Sequence, residues 1–445
     1  MSPMSPVRPR RRLPLAFGVL TTLTVACNDP NAPVVPRVGG AAHPDFTAAI
    51  LVTNTNDDGP GSLRQTIADA PDGAVIQFAP EIAGQTIVVS DAISIDQPLT
   101  VEGPIPQGIT VSGGLKHFVF SVNGSSVTIR NLSIVNGRGD YGGLRGVGRL
   151  TLENTLVANN EGTLDGGGIA FDGDHLSLIN STVTGNVGGG VVANASGVTI
   201  RNTTITGNSG GGLVAYRVGV VLRNSIIANN TDDGSSPPRT NCLMLEGASV
   251  TFIGLNVSND ASCGTDPALL VADPKLGPLA NNGGPTRTHA LLLGSPAIDA
   301  GSLCTETIDQ RYVTRDKGLS CDLGAFEFES FAPLILTVGP NVAANPKMGT
   351  VTVSGTVTCA VPTTVALNVA LSQTQKVTGR FSTIVQAAAT TNVNCTGTSS
   401  WTAVLTPASS KFEVGAATAT ASTATVTGGF LPATAAAPVK VFTAK

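Results

Sequence analysis

Between Val127 and Ile227 the chain alternates apolar and polar positions in short runs that return at nearly constant spacing. Aligned on one asparagine, the runs are VTIRNLSIVNG from Val127, LTLENTLVANN from Leu150, LSLINSTVTGN from Leu176, VTIRNTTITGN from Val198 and VVLRNSIIANN from Val220. The aligned residues Asn131, Asn154, Asn180, Asn202 and Asn224 follow one another at steps of 23, 26, 22 and 22 residues. Before each asparagine the apolar residues (Ile129, Leu152, Leu178, Ile200 and Leu222 among them) recur every second position, the period of a strand with one buried face. The inward pattern resumes at Ile134, Val157, Val183, Ile205 and Ile227, which places the asparagine at a bend between two short strands. A repeat of this length means a solenoid, because a single coil cannot bury its apolar face or pair its strand edges until the next coil stacks on it. The β-branched character and the lack of a helical stretch in each repeat disfavour a leucine-rich solenoid. The prediction is an all-β, right-handed parallel β-helix.

Six residues after the first asparagine a second column follows, Asn160, Asn186, Asn208 and Asn230, and glycine triplets begin at 166, 188 and 210. Glycine permits positive φ and close backbone approach, and stacked asparagines can bond along the axis. A structural asparagine ladder is expected along Asn131, Asn154, Asn180, Asn202 and Asn224. Earlier apolar alternations, such as Ile93 and Ile95 or Ile109 and Val111, read as less regular coils. An open solenoid end is an exposed sheet edge that must be covered. SLRQTIADA from Ser62 supplies a helix for this, with Ser62 and Gln65 at capping-box spacing and Leu63 and Ile67 on one face.

Outside the repeats the composition changes twice. Residues 1–27 carry four arginines, an apolar stretch from Leu13 to Val25 too short to span a bilayer, and then small residues, the pattern of an export signal. LTVAC, ending at Cys27, resembles a bacterial lipoprotein box, which implies lipidation of Cys27 and a membrane anchor. Residues 28–45, rich in Pro, Gly and Ala, read as a tether. The β-helix then occupies 46–330, and from 331 to 445 a Thr-, Val- and Ala-rich chain of short alternating runs predicts a small Ig-like β-sandwich. Trp401 lies after Cys395 rather than between the cysteines, a departure from the antibody pattern. The six cysteines beyond Cys27 fall as sequential couples, Cys242 with Cys263, Cys304 with Cys321, and Cys359 with Cys395, expected as disulfides of an exported protein worth roughly 3 kcal/mol each.

The chain has 26 basic and 30 acidic side chains and is 13% charged, without the basic stripe that a nucleic-acid partner requires. Candidate catalytic residues are Asp165, Asp172 and Asp174, beside His175, with Arg201 or Arg223 as a lyase-type base. Asp172 and Asp174 with a third oxygen could hold calcium; no other cofactor or metal is implied. Asn230, Asp232 and Asp233 form a second acidic cluster before Cys242. The prevailing reading is turn formation for the aspartates and solvated edge charge for the arginines. The repeats offer Phe171 and Tyr216 as aromatic platforms, and the whole chain has four histidines.

VTNTNDDGPGSLRQTI, residues 52–67, resembles the start of bacterial secreted β-helix proteins of the CSLREA type, although it lacks the cysteine of that motif. DPKLGPLANNGGPTRTHALLLGSPAIDAG, residues 273–301, continued by Asp309, Gln310, Arg311 and CDLGAFE from Cys321, resembles the choice-of-anchor Q region found in polymorphic outer-membrane-like proteins. The resemblance covers residues 48–328, with the Q-like part at about 240–328. It implies a secreted or surface β-helix without assigned catalytic residues, and structural hydrogen bonding for Asp299, Asp309, Arg311 and Asp322. The combined expectation is a lipid-anchored, exported, non-catalytic envelope or adhesion-type scaffold with glycans or other surface ligands as partners. The alternatives are a carbohydrate-active β-helix enzyme and a non-catalytic glycan binder.

Overall fold

The computed structural model describes residues 49–445 other than 124–125, 165, 235, 316, 330–331, 361, 379–380, 409, 426–428 and 444–445. Cys27, the export signal and the tether, and the candidate Asp165, lie outside the described residues.

From Ile50 to Val271 the chain winds into a parallel β-helix with three sheets of seven, nine and nine strands. One regular coil shows how the sequence makes it. Leu213–Tyr216 lies on the first sheet and Gly219–Arg223 on the second. Asn224 then bends the chain at φ +46°, and Ile226–Ala228 lies on the third sheet. All five aligned asparagines share this left-handed conformation, with φ between 46° and 61°. Asparagine tolerates it better than other residues with a Cβ.

The alternation becomes burial through the register. Ile129, Leu152, Leu178, Ile200 and Leu222 pair in succession on the second sheet and point inward as one buried file. Phe120, Leu144, Ile169, Val191, Leu213 and Cys242 form the matching file on the first sheet. Hiding each such side chain contributes roughly 2 kcal/mol. The helix Leu63–Asp69 buries Leu63 and Ile67 at the start of the solenoid. Ser62 caps it by accepting from the Gln65 N–H, but the Gln65 side chain bonds Asp69, so only half of the capping box forms.

The second asparagine column is the one that bonds along the axis. Asn160, Asn186 and Asn208 each donate their backbone N–H and Nδ2 to Oδ1 of the next asparagine at 2.8–3.1 Å, and Asn230 does the same to Asn241. Gly137 N–H enters one end of the column, and Ser258 and Asn259 accept from Asn241 at the other. Asn241 takes the place of the next coil's asparagine although it follows Asn230 by only 11 residues. The glycine triplets are explained by this column. A Cβ on the third glycine, Gly168, Gly190 or Gly212, would sit 2.5–2.9 Å from the amide nitrogen of the following coil's ladder asparagine, Asn186, Asn208 or Asn230. A second buried ladder runs through Thr155, Ser181, Thr203 and Ser225, in which the hydroxyls of Ser181, Thr203 and Ser225 each accept the backbone N–H of the residue one coil before. The bonds expected between Asn131, Asn154, Asn180, Asn202 and Asn224 are not made. The side chains of Asn131, Asn180 and Asn224 bond instead to the segment that covers the coils.

That segment is residues 273–328, which hold the sequence compared above with the choice-of-anchor Q region. The solenoid itself continues through Cys242–Leu245, Ser249–Ile253, Asn256–Ser258 and Leu269–Val271, so the strap begins later than the motif-rich region predicted at about 240. It then runs back along the third sheet. Gln310 accepts from Thr182 Oγ1 and donates to Thr286 Oγ1, while Thr286 donates to the Asn154 carbonyl. Arg315 donates to Asn180 Oδ1, Tyr312 to Asn131 Oδ1, and Ala325 N–H to Thr204 Oγ1. Leu291, Ala297, Ile298, Leu323 and Phe326 pack on Ile226, Ala228 and Val257. The third-sheet strands Leu156–Ala158, Thr182–Thr184 and Thr204–Thr206 are therefore buried on both faces, whereas Gly197–Arg201 of the second alternates buried and half-buried.

Beyond the strap, eight mostly antiparallel strands fold around a core containing Val353, Leu367, Trp401 and Val441, forming the C-terminal β-sandwich. Cys242–Cys263 lies at the end of the solenoid, Cys304–Cys321 within the strap and Cys359–Cys395 in the sandwich, the three couples expected from the sequence.

Candidate functional site

The outer face of the first sheet is outside the strap's path and carries a cavity of about 250 Å³ lined by Tyr141, Ala170, Phe171, Asp172, Val192, Asn194, Tyr216, Arg217 and Glu246. Its floor follows from the register. Ala170 and Val192 pair one coil apart and project outward between the inward residues Ile169 and Phe171 and their partners Val191 and Ala193. Asp172, which follows Phe171, and Asn194 and Tyr216, which pair, form the next outward file. Asn194 Nδ2 donates to Asp172 Oδ1 at 3.2 Å. Arg217 and Glu246, both at positive φ where the first sheet turns toward the second, form an ion pair at the rim. Tyr141 comes from the turn before Leu144–Gly146, packs edge-on against Phe118, and has the Arg145 guanidinium 5.2 Å from its ring centre.

Of the catalytic candidates among the described residues, only Asp172 lines this cavity. Arg201 and Arg223 sit at the far end of the second sheet, beyond a five-residue strand of roughly 13 Å. Both brace the strap, Arg201 through Glu306 at 3.2 Å and Arg223 through the Leu303 carbonyl. The pairing of Asp172 with either arginine as a lyase base is thus not assembled, because the two ends of one strand separate them. Asp174 is exposed in the turn leading to His175, whose ring meets Thr199 Oγ1 at 3.3 Å. Asp232 accepts from the Arg239 N–H, a turn-forming role, and Asn230 belongs to the ladder. Among the described residues no group of three or more His, Cys, Asp and Glu side chains is placed to hold a metal ion. Tyr141, Arg217 and Glu246 carried no sequence signal. Tyr141 lies in a turn that departs from the repeat, and Glu246 lies past the last regular coil.

A second cluster of charge is buried in the strap. Asp309 accepts from the N–H groups of Arg311, Val313 and Glu327 and pairs with the Arg311 guanidinium at 2.8 Å. That guanidinium stacks 3.7 Å from the centre of the Phe326 ring. Asp322 accepts from the Asp299 and Phe328 N–H groups, and Glu327 accepts from the Asp322 N–H and Arg315. Burial, reinforced by the Glu327 charge, pushes Asp322 up to about 8, and burial pushes Glu327 up to about 7 against the pull of Arg315. Burial likewise raises Asp299 and lowers Arg315 and His289. Every partner named here belongs to the strap or to the coils beneath it, so the cluster closes the strap on the solenoid.

No helix among the described residues is long and apolar enough to cross a membrane. The three disulfides are consistent with an extracellular or exported protein. No curated protein matches the chain. The family described as the right handed beta helix region matches residues 167–266, the coils that carry most of the asparagine ladder and of the cavity lining. The chain is therefore a right-handed β-helix repeat protein, all-β, with a β-sandwich after its solenoid.

Proposed function

We propose that this chain is an exported, lipid-anchored envelope protein whose β-helix is a rigid, non-catalytic scaffold that presents the outer face of its first sheet to surface ligands. The carrying observation is the strap: it spends the outer face of the third sheet and the charged residues Arg201, Arg223 and Arg315 on holding the solenoid closed. Two internal ladders and three disulfides support the same rigid role. Attachment through Cys27 is tested by labelled palmitate in a bacterial host. Incorporation is expected in the full chain and lost in Cys27→Ser, and label retained by the variant overturns the anchor.

One observation favours a second reading as a carbohydrate-active enzyme, since Asp172 and Glu246 place two carboxylates in one cavity. Glycoside hydrolysis needs such a pair at a defined separation, but Glu246 is neutralised by Arg217. Incubation with glucan, xylan and polygalacturonate, with and without calcium, is expected to release no product. Release that disappears in Asp172→Asn and Glu246→Gln overturns the non-catalytic reading.

A further inference from the structure

We propose that the cavity on the first sheet binds a neutral oligosaccharide, laid along the solenoid axis. This rests on the reading of that sheet as the presenting face and names what it presents itself to.

The chemistry of the lining selects the ligand class. A sugar ring offers a C–H face and an edge of hydroxyls, and it is held by an aromatic plane on the first and by carboxylate or amide groups on the second. Here Tyr141 and Tyr216 come to one cavity from different coils, two of the three tyrosines in the chain. Between them lie the apolar floor of Ala170 and Val192 and the polar pair Asp172 and Asn194. One oxygen of Asp172 takes the Asn194 amide, and a carboxylate has further lone pairs for hydroxyl donors. Asp172, Asn194 and Tyr216 occupy one outward file on consecutive coils, about 4.8 Å apart. A linear glycan along the axis would thus meet a new side chain at nearly every ring.

Charge decides between neutral and acidic glycans. Arg217 is paired with Glu246 at the rim, and Arg145 stacks on Tyr141 outside the lining. Asp172 is left as the unneutralised charge within the cavity, so a uronate chain would be repelled where a neutral one is not.

Titration calorimetry of the detergent-solubilised full chain with cellohexaose, maltohexaose, laminarihexaose and, as acidic probe, hexagalacturonate tests this. Saturable binding of at least one neutral hexaose is expected, weakened about tenfold by Tyr216→Ala or Asp172→Ala with the thermal midpoint unchanged. No saturable heat from any neutral hexaose overturns the proposal. So does tighter binding of hexagalacturonate, or neutral binding undiminished in Tyr216→Ala. These outcomes leave the palmitate test of the anchor unaffected, so loss of the glycan site and loss of the scaffold reading are told apart.

Discussion

At the scale of residues, two asparagine columns with similar sequence surroundings have opposite physical roles. Asn208 gives Oδ1 to both the backbone and side chain of Asn186, and its own amide donates to the Val183 carbonyl and to Asn230. Asn202, equally buried, has neither side-chain atom bonded; its contribution is its φ of +46°. Removing a buried acceptor strands two donors, and each stranded donor costs about 1–3 kcal/mol. Asn208→Ala is therefore expected to destabilise the chain by about 3 kcal/mol in denaturant unfolding. Asn202→Gly removes two unpaired polar atoms and keeps the left-handed bend, so its effect should stay within about 1 kcal/mol. Equal costs for the two substitutions would contradict this division of roles.

At the scale of elements, strands with the same alternation differ in what covers their outer face. Thr128 points outward from the second sheet and is half-buried, whereas Thr204 points outward from the third and is sealed beneath the strap at 2% exposure. Thr128→Lys should change stability by within about 0.5 kcal/mol in denaturant unfolding, while Thr204→Lys buries a charge and should cost about 3 kcal/mol or more. Comparable values would mean that the strap does not lie on the third sheet in solution. The contrast also shows what the sequence made legible. Two-residue alternation named the inward file of the second sheet, since one face of that sheet meets solvent. On the third sheet Leu156, Val157 and Ala158, or Ile226, Ile227 and Ala228, are apolar in succession, the mark of a strand buried on both sides. That mark says that a cover exists without saying which distant segment supplies it. The site divides similarly: Asp172 stood out as an acid beside other acids, but Tyr141 and Glu246 reach it only because coils bring residues 105 positions apart to one cavity.

At the scale of the whole molecule, the strap makes solenoid stability depend on protons. Four buried carboxyl groups, Asp299, Asp309, Asp322 and Glu327, face two buried guanidiniums, Arg311 and Arg315, with the exposed Glu329 at the edge and Glu306 paired to Arg201 nearby. Burial and mutual repulsion hold Asp322 at about 8 and Glu327 at about 7, while the same groups in an unfolded chain titrate near 4. Between about pH 4 and 8 the folded strap keeps protons that the unfolded chain has released, so stability falls as pH rises through this window and levels off above it. His289, lowered by burial between the Gly277 carbonyl and Thr184, acts in the opposite sense. Below about 6.5 the unfolded imidazole gains a proton that the folded one resists, which erodes stability on the acid side. Three raised carboxyls, Asp299 with Asp322 and Glu327, against one lowered imidazole place the optimum on the acidic side. The thermal midpoint should be higher at pH 5.5 than at pH 8.5, and Glu327→Gln should shrink that difference, because a neutral amide still accepts from the Asp322 N–H and Arg315 without releasing a proton. A midpoint that is flat or rises over this range, or a drop unchanged in Glu327→Gln, would show that the strap's buried acids are already ionised and that its hold on the solenoid lies in the hydrogen bonds of Gln310, Thr286 and Tyr312 instead.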